Sequence, residues 1–147
     1  MTSINLFTQH SDSLSSLKAL TSQVDTAFQA AGLSERLAEL INVRVSQING
    51  CAFCLRTHVE AALKAGEQPE RLTVLAAWWE TQYFDAQERA ALGLAEQVTR
   101  LGVPEDRSWD DGSLTSEQVG AVVWAATVIG AWNRVVLSSH PKVGPQA

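Results

Sequence analysis

The chain has 147 residues, enough for one domain with a core of its own. Apolar residues make up 46% and charged residues 18%, a balance that excludes a disordered chain. A net charge of −5, with no basic run, argues against nucleic-acid binding.

Met1 to Ser15 lacks a basic n-region and an apolar h-region of useful length, so no signal peptide is expected. The first helix is expected from Asp12 or Ser13 to Ala31, stopped by Gly32. Ser34 can cap a second, Glu35 to about Ile48, ended by the Asn49-Gly50 turn. A third runs from Cys51 to Ala65 and closes at Gly66. Pro69 opens a short helix reaching about Glu80. Asp85 can cap the next, Ala86 to Leu101, which ends at Gly102. Val103 to Leu114 holds Pro104, Asp110-Asp111 and Gly112 and reads as a loop. Thr115 with Gln118 forms a capping box for a last helix to about Ser139, followed by an irregular tail. No alternating strand pattern and no internal repeat is present. The expected fold is all-α, a compact bundle of about six helices in one domain over residues 1–147.

The last helix is apolar nearly all round, from Val119 to Trp132. Its uncharged run, Gln118 to Asn133, holds several polar residues and is shorter than the roughly 20 apolar residues of a bilayer span, so a buried core helix is expected and no membrane association. Burying such a helix on all sides in so small a domain is easier with a second subunit, so a homo-oligomer is expected. Trp78, Trp79, Trp124 and Trp132 are read as core or interface residues. Asn133-Arg134 is read as a helix end reaching solvent or an ion pair.

The chemistry centres on Cys51-Ala-Phe-Cys54, the only two cysteines, with His58 one turn further. On a helix, residues three or four apart share a face at about 5–6 Å, which is disulfide range. A C-x-x-C in a chain expected in the cytoplasm suggests dithiol redox chemistry or metal binding more than a structural crosslink. Cys51 opens the helix, where free N–H groups favour a thiolate. His58 can take the Cys54 proton, and Glu39 can orient His58 or pass the proton on. A metal alternative takes Cys51, Cys54 and His58 as ligands with Glu39 or His140 as the fourth. Inert thiols are a third alternative, and a solvated carboxylate is the plain one for Glu39. Phe53 falls among Arg56, Thr57, Glu60 and Lys64, which suggests a cover over a pocket or a subunit contact.

Glu39, Cys51-Ala-Phe-Cys54 and His58 together resemble the E-x11-C-x-x-C-x3-H signature of alkylhydroperoxidase D-like proteins, within the carboxymuconolactone decarboxylase superfamily. Leu40 to Cys51 and Ala131-Trp-Asn-Arg134 are similar to that family too, and the likeness covers roughly Leu37 to Arg134, strongest between Glu39 and Gly66. The resemblance implies an all-helical fold assembled as trimers or hexamers, and reduction of organic hydroperoxides or hydrogen peroxide. It implies Cys54 as the cysteine that attacks peroxide, Cys51 as the resolving partner, and Glu39 and His58 as a proton relay. It implies no metal and no bound organic cofactor, with a dithiol protein, a lipoyl domain or thioredoxin-like partner, as reductant. The best-known members carry a second histidine inside the C-x-x-C where this chain has Phe53. The decarboxylase branch lacks the cysteine pair, so lactone decarboxylation is disfavoured. A redox sensor using the same dithiol without turnover, or a zinc-binding module, are the other functional alternatives.

Overall fold

Ser34 shows how the chain starts its helices: its Oγ accepts from the Leu37 N–H at 3.1 Å. In the computed structural model, which describes residues 3–102 and 111–147, six α-helices form. They are α1 (Ser11–Ala30), α2 (Glu35–Asn49), α3 (Ala52–Lys64), α4 (Pro69–Val74), α5 (Ala86–Arg100) and α6 (Ser116–Ser139), with a 3-10 segment Leu75–Glu80 after α4. No strand occurs among the described residues. Most of the loop expected between α5 and α6, residues 103–110, lies outside the described residues.

α2 is the central helix. It packs against α3, α5 and α6, and more lightly against α1. Its apolar stripe of Leu37, Leu40, Ile41 and Val45 is buried, and so are Val43, Arg44 and Ser46 on other sides. A helix enclosed this way must satisfy its polar groups inside the protein. Arg44 Nε does so on Glu96 Oε1 of α5 at 2.6 Å. α2 ends at Gly50, whose φ of 70° is the left-handed C-cap conformation that glycine adopts without steric cost.

Two expected boundaries shift. α3 begins at Ala52, with Cys51 as its N-cap in an extended conformation (φ −91°, ψ 95°). The helix expected from Pro69 to Glu80 divides in two: α4 gives way at Val74 (φ −99°, ψ 1°) to the 3-10 segment, which is itself kinked at Ala77 (φ −125°, ψ 34°). Past the kink the adjacent tryptophans stand edge to face, with ring centroids 6.0 Å apart. Trp78 Nε1 donates to Glu96 Oε1 at 2.8 Å, while Trp79 stays half exposed. Arg89 of α5 then donates to the carbonyls of Trp78, Trp79 and Thr81, which a continuing helix would have used itself.

α5 and α6 open with capping boxes, Asp85 with Glu88 and Thr115 with Gln118. α6 packs on α1, α2 and α5 and contributes nine buried residues, the behaviour of a core helix. In the single chain part of its surface stays open, the part for which a second subunit is expected. Gly120, Trp124, Thr127 and Arg134 form an exposed strip, and Trp124 is 52% exposed. Three neighbouring helices cover three sides of a cylinder and leave the fourth open.

Candidate active site

The α2–α3 turn delivers the two cysteines. Gly50 reverses the chain, and the Cys51 N–H returns to Ser46 O at 3.1 Å. Cys51 then caps α3, its Sγ accepting from the Cys54 N–H at 3.3 Å. Cys51 and Cys54 form a disulfide, with Cα atoms 5.3 Å apart, in the range expected from the spacing. Both sulfur-bearing residues are buried, with Val136 of α6 and Phe53 packed against them.

One turn along α3, His58 Nδ1 lies 2.7 Å from Glu39 Oε2 on α2. Glu39 is thus neither a free surface carboxylate nor far from the cysteines in space; the strong packing of α2 on α3 brings the two chain segments together. The pair is partly exposed, 23% for the His58 side chain and 17% for Glu39. A carboxylate on one ring nitrogen orients the imidazole and leaves the other nitrogen for chemistry.

A cavity of about 340 Å³ opens between α1, α2, α3 and α6. Cys54, His58 and Glu39 line it, whereas Cys51 does not. Most of the remaining wall is apolar, with Phe28, Val128, Ile129 and Trp132 among the contributors. A mostly apolar cleft with a few convergent polar groups has the form of a small-molecule site. Phe53 also lines it, half-buried, so its position among charged residues in the sequence corresponds to the pocket-covering alternative. Trp132 is held in the wall by its Nε1–H, which donates to Thr21 Oγ1 at 2.8 Å.

Two residues near the site escaped the sequence reading. Asn133 is fully buried, not at a helix end in solvent; its amide bonds both Ser46 and Asn49 of α2. The signal was an amide inside an apolar helix, which burial makes costly unless it is bonded. Arg134 does reach solvent. Asp25 of α1 lines the cavity mouth and carried no sequence signal. Desolvation raises its carboxyl above the ordinary 3.8, as do the Glu39 and Glu35 charges, against the opposing pull of His58. The folded protein therefore holds this proton more tightly than the unfolded chain does. That favours the fold at low pH, and the advantage is lost as pH rises through 3.8 toward the raised value. Asp25→Asn is accordingly expected to raise the melting temperature slightly at neutral pH and to leave it unchanged near about pH 3. Equal shifts at both pH values in a thermal melt would refute that account.

Cys51 and Cys54 are bonded to each other, Glu39 is engaged with His58, and His140 lies exposed past the end of α6. No group of three or more His, Cys, Asp or Glu side chains is placed to hold a metal among the described residues.

Residues 16–97 match the carboxymuconolactone decarboxylase family. The uncharacterized protein YdfG of Bacillus subtilis (strain 168) is 35% identical over 114 residues, 74% of this chain and 76% of that protein. The crystal structure of ATU0492 from Agrobacterium tumefaciens superposes with a TM-score of 0.84 and 26% identity, covering 99% of this chain and 100% of the other. ATU0492 is a protein of unknown function for which an antioxidant-defence role of the AhpD kind has been suggested. A cysteine pair on a helix N-terminus, a Glu–His pair beside it and this bundle make the chain an AhpD-like member of the carboxymuconolactone decarboxylase family.

Proposed function

We propose that the protein is a thiol peroxidase that reduces organic hydroperoxides with the Cys51–Cys54 pair and is returned by a dithiol. The observation that carries this reading is the asymmetry of the pair. Cys54 lines the apolar cavity beside His58 and Glu39, while Cys51 is walled off behind it.

In the reduced protein His58 takes the Cys54 proton, and Glu39 holds the resulting imidazolium. The Cys54 thiolate attacks the distal peroxide oxygen and the O–O bond breaks. The departing alkoxide takes the proton from His58 and leaves as an alcohol. Cys54 is now a sulfenic acid. Cys51 attacks that sulfur, the S–S bond forms, and the hydroxide leaves as water with the Cys51 proton. An external dithiol supplies the two electrons of the return step. One of its thiolates attacks Cys54, the sulfur reached from the cavity, and its second thiol then breaks that mixed disulfide, freeing Cys54 and closing the dithiol's own S–S bond. In the first of these exchanges Cys51 departs as a thiolate. Its place at the N-terminus of α3 stabilises that anion. The helix dipole therefore serves Cys51 as leaving group, while His58 serves Cys54 as nucleophile.

The reductant in this reading is a lipoyl domain or a thioredoxin-like protein of the cytoplasm. The reading includes assembly as a trimer or hexamer, for which the exposed strip around Trp124 is the natural contact. The test is steady consumption of cumene hydroperoxide with dihydrolipoamide as reductant. Many turnovers per chain are expected. One oxidation event per chain, with no further consumption, would replace the peroxidase by a sensor using the same dithiol.

A further inference from the structure

Asn133 lies in the C-terminal half of α6, next to Arg134, with no exposed surface. Its Nδ2 donates to Ser46 Oγ at 3.1 Å, and its Oδ1 accepts from Asn49 Nδ2 at 2.9 Å. Replacing such a buried bonded group and its partners by apolar groups of the same shape would be nearly neutral for stability. What the amide adds is direction. Asn49 is the last residue of α2, followed by Gly50 in the left-handed conformation and by Cys51. The backbone bonds of this turn, Gly50 N–H to Gln47 O and Cys51 N–H to Ser46 O, lead back into α2. The Asn49–Asn133 bond ties it instead to α6, the helix whose Val136 packs against both cysteines.

The tie matters once the disulfide opens. The covalent link between Cys51 and Cys54 is then gone, and Cys51 is held by its N–H on Ser46 O, by its carbonyl on the Leu55 N–H, and by a glycine turn whose own backbone has a wide choice of conformations. Disulfide closure needs the attacking sulfur in line at contact distance, and small misplacements in such steps are costly in rate. We propose that Asn133 is a positioning residue for the resolving cysteine, its amide holding the Asn49–Gly50–Cys51 turn so that Cys51 stays in reach of the Cys54 sulfur. This inference rests on the reading above in which Cys54 reacts first and Cys51 closes the ring.

A probe that needs no peroxide separates the two claims. In reduced protein the Cys54 thiolate attacks dipyridyl disulfide, forming a mixed disulfide and releasing one pyridinethione. Cys51 then attacks the Cys54 sulfur, closing the native disulfide and releasing the second pyridinethione. The two release phases report attack and closure in one trace. In Asn49→Ala the first phase is expected to match the wild type, and the second to slow by about tenfold. Asn133→Ala should slow the second phase at least as much. Ser46→Ala cuts the other bond of Asn133 while leaving the turn's tie intact, and is expected to leave both phases unchanged. Closure at the wild-type rate in Asn49→Ala overturns the proposal. So does an equal slowing in Ser46→Ala, which would mean general loosening. Should these phases behave as expected while cumene hydroperoxide is not consumed, the positioning role stands and the peroxidase reading falls.

Discussion

Cys54→Ser is expected to reduce peroxide turnover to below about one thousandth of the wild-type rate, because a serine hydroxyl cannot replace the thiolate as nucleophile toward the O–O bond. Cys51→Ser is expected to lose turnover too, but by a different route. Its Cys54 still lines the cavity beside His58, so one equivalent of peroxide should be consumed and the product should stop at the sulfenic acid. Dimedone labelling followed by peptide mass spectrometry distinguishes the two variants. The label should appear on Cys54 in Cys51→Ser and be absent from Cys54→Ser. A labelled Cys51 in Cys54→Ser would reverse the roles and make the helix N-terminus, rather than His58, the activating influence.

The second large effect is expected at the base. His58→Ala removes the group that takes the Cys54 proton, which is worth on the order of 10²–10⁴-fold in rate. The loss should depend on pH in a definite sense. An unassisted cysteine has a pKa of about 8.5, so its thiolate fraction at about pH 6 is below one per cent and rises toward completion by about pH 9. The deficit of His58→Ala relative to wild type is therefore expected to be largest in mildly acidic buffer and to shrink as the solution deprotonates Cys54 without help. Glu39→Gln should keep the 2.7 Å contact in shape while losing the charge that holds the imidazolium, so it should show a smaller deficit of the same sign. Rates of cumene hydroperoxide reduction across that pH range decide the matter. A deficit that is flat with pH would mean that His58 shapes the cavity and moves no proton.

Much of this site is legible in one dimension because its parts are joined by short-range rules. Ser34, the Asn49-Gly50 turn and the C-x-x-C spacing are each read within a few residues, and the last of these puts the cysteine Cα atoms 5.3 Å apart. The Asp85 and Thr115 capping boxes likewise declare themselves locally. The kink at Ala77 does not. It depends on Glu96 and Arg89 of α5 competing for Trp78 and for the carbonyls around it, partners more than ten residues away. Phe53 shows the same limit. Its sequence neighbours are charged, yet α6 leans on the start of α3 and gives it a cavity wall to join.

Capping, turn chemistry and helical spacing act between near neighbours, so most helix ends, the cysteine pair and His58 on its face are legible along the chain, whereas Glu39, twelve residues before Cys51, is marked only by the family resemblance. Which sulfur meets the cavity, the place of Asp25 in its wall and the buried bond from Asn133 to the cysteine turn come from packing instead. Those facts arise where α1, α2, α3 and α6 meet, and side chains far apart along the chain acquire their partners only when these helices pack.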